Sequence, residues 1–225
     1  MWPSLQTNVV GFAINLACTV LGIWIVLRLE SHKRPRLSMT IGSSNQRGGM
    51  DDAFGRQLHK VIRVSVKNER MPRWLGGFWD RETAVCHAWV KFPGLEHEMR
   101  AWWAKMPVPD LHMLKRPDGT THMWLSGGQE PVHIGPGEHA QITVAIKVDG
   151  DDECYGFTRD SHRYVYETYR HPSWRVESGR HPLRVRVATG GRQFSRSFLL
   201  VNESYEGFGL EPIGDESAIR LGQVG

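Results

Sequence analysis

Residues Val9 to Leu27 read VVGFAINLACTVLGIWIVL, nineteen residues without a charge. Wound as an α-helix at ~1.5 Å per residue, such a run spans about 28 Å, close to the ~30 Å hydrocarbon core of a bilayer. Asn15, Cys18 and Thr19 are its polar interruptions, and a helix satisfies the backbone of all three internally. Trp2 and Trp24 fall near its two ends, where amphipathic rings favour the membrane interface. A cleaved signal peptide fits less well, because no basic segment precedes Val9 and no small-x-small cleavage site follows Leu27. A buried core helix would normally carry a polar face, and this run has none. Residues 9–27 are therefore expected to be an uncleaved transmembrane helix.

The flanks set its expected direction. Residues 1–8 contain neither Lys nor Arg, whereas Arg28, Lys33, Arg34 and Arg36 follow the span closely. The positive-inside bias then puts the short N-terminal segment outside and everything after the basic linker, residues 28–36, in the cytoplasm. That linker also attracts anionic headgroups by ~1 kcal/mol per cation near the surface.

Beyond Pro35 the apolar period changes from continuous to two. Leu37, Met39 and Ile41 alternate, as do the residues from Val61 to Val66 before Asn68. Ala84, Cys86, Ala88 and Val90 alternate with Val85, His87, Trp89 and Lys91, and Met99 to Trp103 makes a further candidate strand. Ile142, Val144, Ile146 and Val148 follow a turn built from Ile134-Gly135-Pro136-Gly137-Glu138. Leu183, Val185 and Val187 pair with the region of Phe194, Phe198 and Leu200 across Thr189-Gly190-Gly191, a hairpin signal. About six to eight strands of this kind describe an antiparallel sandwich with one wet face per sheet. The expected fold is thus all-β, an Ig-like antiparallel β-sandwich over residues 37–204, preceded by one transmembrane α-helix and followed by a flexible tail, 205–225. On this register Val64, Val66, Val144 and Ile146 face the core, and Arg63, Ser65 and Lys67 the wetter side.

Two long connections interrupt the strands. Gly42 to Leu58 is polar and glycine-rich, and Thr158 to Gly179 carries Tyr164, Tyr166, Tyr169 and Trp174. The second is expected to pack on the sandwich. Trp74, Trp79, Trp89, Trp102, Trp103 and Trp124 complete a large aromatic complement, whose ordinary use is core packing. Trp102 and Trp103 cannot both point inward from one strand, so one ring is expected to be exposed or covered by a loop.

Composition narrows the chemistry. Lys plus Arg number 28 against 24 Asp plus Glu, too small an excess to imply nucleic acid, and none is expected as a partner. Three cysteines make neither a disulfide scaffold nor an all-thiolate zinc site. In a cytoplasmic domain Cys86 and Cys154 remain thiols; an extracellular one would allow them to pair. His133 and His139 flank a turn, and Cys86 and His87 point to opposite faces of a strand, with no HExxH or CxxC spacing anywhere. The acidic run Asp149 to Glu153 departs from a calcium loop at Cys154 and Asp160, and Gly207-Phe208-Gly209 lacks the third glycine of a dinucleotide site. No catalytic, cofactor or metal residue is nominated. The expected function is a membrane-anchored interaction module, with the bilayer contacting Val9 to Leu27 and a protein as partner. An enzyme with a loop-borne His and carboxylate site, and a carbohydrate-binding module using exposed Trp outside the cell, are the alternatives.

Overall fold

The computed structural model describes residues 3–47, 58–72, 80–92, 94–95, 98–104, 110–115, 121–126, 131–158, 161, 170 and 172–213. Trp2, Trp74, Trp79, Asp160, Tyr164, Tyr166 and Tyr169 lie outside them, and Trp124 is described only through its backbone.

The apolar run sits within one helix, α1, Pro3–Lys33. It is longer than the uncharged core at both ends. Pro3 fits a first turn, where its missing N–H costs nothing, and the last turn is extended by local bonds. Ser31 Oγ donates to the Arg28 carbonyl at 2.7 Å, and the His32 ring nitrogen lies 2.7 Å from the same oxygen. The helix stops at Lys33 because Pro35 drives Arg34 away from helical geometry.

The remainder is mostly strand. In chain order the strands are β1 (Leu37–Ile41), β2 (Asn45–Arg47), β3 (His59–Asn68), β4 (Ala84–Lys91), β5 (Met99–Arg100), β6 (Trp102–Trp103), β7 (Asp110–Lys115) and β8 (Thr121–Ser126). Then come β9 (Val132–Ile134), β10 (His139–Val148), β11 (Cys154–Gly156), β12 (Arg175–Val176), β13 (Gly179–Thr189), β14 (Arg192–Asn202) and β15 (Gly209–Pro212). One antiparallel sheet runs β1-β3-β10-β11-β12, with β2 also on β3 and β6 also on β10. The other runs β15-β14-β13-β4-β5, with β9 also on β4, and β7 and β8 form a separate pair. Residues of both main sheets share one buried core, among them Val64, Ile142 and Val144 from the first and Val90, Val185 and Phe198 from the second.

Several sequence expectations meet this arrangement and are changed by it. Met99 to Trp103 is not one strand. Ala101 N donates to the Ala88 carbonyl, after which Trp102 and Trp103 pair with Thr143 and Ile142, so the chain crosses from the second sheet to the first at this point. Both tryptophans are buried. Trp103 joins the shared core, whereas Trp102 faces outward beneath Phe157, whose ring centroid is 5.7 Å away.

Arg63 is buried, contrary to its expected place on a wet face. Its strand is central, and register sets it in one row with Thr143 and Trp102, which are buried too. Ser65 and Lys67, further along, are progressively more open. The long connections also contain strand: β2 lies within 42–58 and β12 within 158–179. The sheet continues past residue 204, because β15 pairs with β14 and Phe208 is fully buried beside it. The fold thus includes the start of the segment expected to be a tail.

A bulge in β10 redirects the end of the first sheet. Thr143 faces Arg63 but Ala145 faces Ile62, leaving Val144 as the extra residue. Val144 and Ala145 consequently both enter the shared core. Beyond them the alternation is inverted. Ile146 and Val148 join Val61 and Tyr155 in a second cluster on the outer side, and Lys147 turns inward instead.

Candidate functional site

The junction between α1 and the sheets is the best-defined construction outside the core. Along α1, residues 11–28 are exposed on every side, including Phe12 at 71% and Trp24 at 59%. This helix is long and apolar enough to cross a membrane. Its end is held by the β-domain. Arg81 Nη1 donates to the His32 and Arg34 carbonyls at 3.3 and 3.0 Å, and the Glu82 amide donates to the Lys33 carbonyl at 2.8 Å. The His32 and Lys33 carbonyls are ones that a helix terminus leaves without internal partners, and a cation suits them.

Asn68 organises the other half of the junction. Its Oδ1 accepts from the Arg36 amide at 3.3 Å, while its Nδ2 donates to the Glu82 and Ile134 carbonyls at 2.9 and 3.1 Å. The Glu69 amide beside it donates to the Arg36 carbonyl at 2.8 Å. Linker, β3, β9 and the segment leading into β4 therefore meet at one fully buried amide. In the sequence Asn68 reads only as the end of a strand, because its partners lie far away along the chain.

Among the described residues no group of three or more His, Cys, Asp and Glu side chains is placed to hold a metal ion. His133 and His139 line an open cleft of about 390 Å³ with Trp103, Glu138 and Gln141. The Glu138 carboxylate already closes its own turn, accepting from the Gly135 amide at 2.9 Å. The acidic run after β10 is likewise engaged. Arg170 contacts both carboxylate oxygens of Asp151 at 2.9 and 3.0 Å, and Arg175 lies 3.1 Å from Glu153.

Cys86 and Cys154 are free thiols in the shared core. Burial pushes their pKa values up to about 11 and about 12, so neither carries the thiolate needed for nucleophilic work near neutral pH. Beside Cys154 the inward-turned Lys147 donates to Asn202 Oδ1 at 2.7 Å and to the Asp152 carbonyl at 3.0 Å. Desolvation holds the Lys147 pKa below that of an ordinary lysine. This group joins the two sheets where their strands end.

Of the described tryptophans, Trp102 and Trp103 are buried and Trp174 packs against the core. Trp89 is half-buried on the outer side of β4, with the Arg186 guanidinium 4.1 Å from its ring centroid. No protein family, curated protein or solved structure compared with this chain matches it.

Proposed function

We propose that the chain is a single-pass membrane protein that presents an Ig-like β-sandwich in the cytoplasm and uses it to bind another protein. The observation that carries this reading is α1 itself: a continuous apolar helix without a charge from residue 9 to residue 27, exposed throughout residues 11–28. Such a surface is stable in lipid and costly in water. The cations that follow the span, with none in residues 1–8, support a cytoplasmic domain. Two antiparallel sheets around one core support the sandwich, a scaffold that offers end loops and sheet surfaces to partners. The bonds from Arg81, Glu82 and Asn68 make a short stem, which keeps the domain close to the bilayer surface.

Cys86 and Cys154 are too deeply buried to report on sidedness, and Cys18 lies within the apolar run of α1. Gln193, exposed on β14, is a better reporter position. A Gln193→Cys variant treated with an impermeant maleimide is expected to react only after the cells are permeabilised. Reaction in intact cells would place the domain outside and would favour the carbohydrate-binding alternative.

A further inference from the structure

The outer face of the β4–β13 pair holds a contact that folding does not explain. Register sets Arg184 directly opposite Lys91, Arg186 opposite Trp89, and Trp89 opposite Arg100. Since Val185, Val187, Ala88 and Val90 fill the core, these intervening residues point away from it. Arg184 and Lys91 are both exposed, and among the described residues neither forms an ion pair. Like charges directly opposite one another in an antiparallel pair are destabilising. Arg186 next to them is treated differently: Glu98 Oε2 accepts from its Nε and Nη2 at 3.0 and 2.5 Å while it covers Trp89.

We propose that this face, centred on Arg184, Lys91 and Trp89, docks an acidic segment of a partner protein. The proposal rests on the interaction role proposed above and names the partner's chemistry. Two neighbouring cations without a carboxylate are complementary to carboxylates arriving from outside, and arginine binds these in a bidentate manner. A single-stranded nucleic acid would need an open aromatic face on which to stack, and Arg186 occupies that of Trp89. Lipid headgroups are disfavoured by the separation along the chain. The helix end meets the domain at Glu82, and Lys91 lies nine residues further along the chain. At ~3.3 Å per residue this is about 30 Å, several times the ~8 Å screening length at physiological salt.

The test uses the full chain in micelles of a neutral detergent, with a fluorescein-labelled deca-glutamate peptide as probe and anisotropy as readout. The expected result is binding that weakens with salt and falls by about tenfold in the Arg184→Glu, Lys91→Glu double variant. A Lys60→Glu, Lys67→Glu variant makes the same change of charge on β3 and is expected to lose less than about twofold. The single Lys91→Glu variant places a carboxylate opposite Arg184, so it is expected to raise the thermal midpoint by about 1–3 °C while weakening the probe. A purely structural role would not move those two quantities in opposite directions. Absence of probe binding, or equal losses in both double variants, would overturn the proposal. So would tighter binding of a ten-residue thymidine oligonucleotide or of phosphatidylserine vesicles, released by the same substitutions. None of these outcomes bears on whether α1 is in a membrane, which the maleimide experiment and membrane fractionation address separately.

Discussion

Helix α1 and the two-sheet domain are built from the same apolar residues and treat them in opposite ways. In α1, Val20, Ile23 and Leu27 are 58%, 56% and 60% exposed, whereas Val64, Ile142 and Val144 in the sheets are at 0%. Apolar content is therefore not what separates the regions; its period is. Alternation lets a strand bury one face against a second sheet, so the domain supplies its own apolar solvent. A helix without a charge over nineteen residues and exposed along its length has no such option within a single copy of this chain, and requires that solvent from outside.

The comparison breaks most sharply under an introduced charge. Val144→Asp puts an unpaired carboxylate in the shared core and is expected to abolish the cooperative unfolding transition of the domain, seen by circular dichroism. Leu16→Asp should leave that transition intact and instead reduce membrane partitioning by about 100-fold. If either substitution produced the other's effect, the division of the chain into two solvents would be wrong.

Asn68→Ala probes the seam between the regions. It removes one acceptor and two donated bonds at a buried site, so a loss of about 2–3 kcal/mol in urea unfolding is expected. Faster proteolysis near residues 34–36 should accompany it, since the linker loses its anchor.

A third prediction concerns pH. Lys147 has a folded-state pKa below its unfolded value of ~10.4, so the unfolded chain binds more protons across the interval between them. Stability relative to a Lys147→Met variant should therefore rise with pH through that interval. A difference that stays flat would mean that the ammonium is well solvated. The smallest effect is reserved for Cys86→Ala, expected to cost ~1 kcal/mol because the thiol acts as a small buried hydrophobe. By the same burial, Cys86 and Cys154 should resist iodoacetamide in the folded protein and react on unfolding.

Much of the local architecture was legible in the residues. Thr189-Gly190-Gly191 announced the β13–β14 hairpin because both glycines have positive φ, 53° and 74°, as a two-residue turn there demands. Pro35 marked the helix end. What escaped was set by distant neighbours. Ile142 to Val148 reads as unbroken alternation, yet the bulge at Val144 inverts its second half and turns Lys147 inward. The crossing at Ala101 depends on which sheet each half of a short aromatic segment can reach. β15 is a four-residue edge strand ending in proline, too short to show a period. The candidate surface was hidden for a related reason: Lys91 and Arg184 become neighbours only through the register of β4 on β13. Asn68 likewise gains its importance from Arg36, Glu82 and Ile134, none of them adjacent to it in sequence.

The central claim is that α1 lies in lipid while the domain provides its own core. Alkaline carbonate extraction of membranes from cells expressing the intact chain tests it most directly, because carbonate strips proteins held only by surface charge and leaves those held by a buried apolar segment. The chain is expected to stay in the membrane pellet after extraction and to leave it only with detergent. Quantitative recovery of the intact chain in the carbonate supernatant would contradict the account.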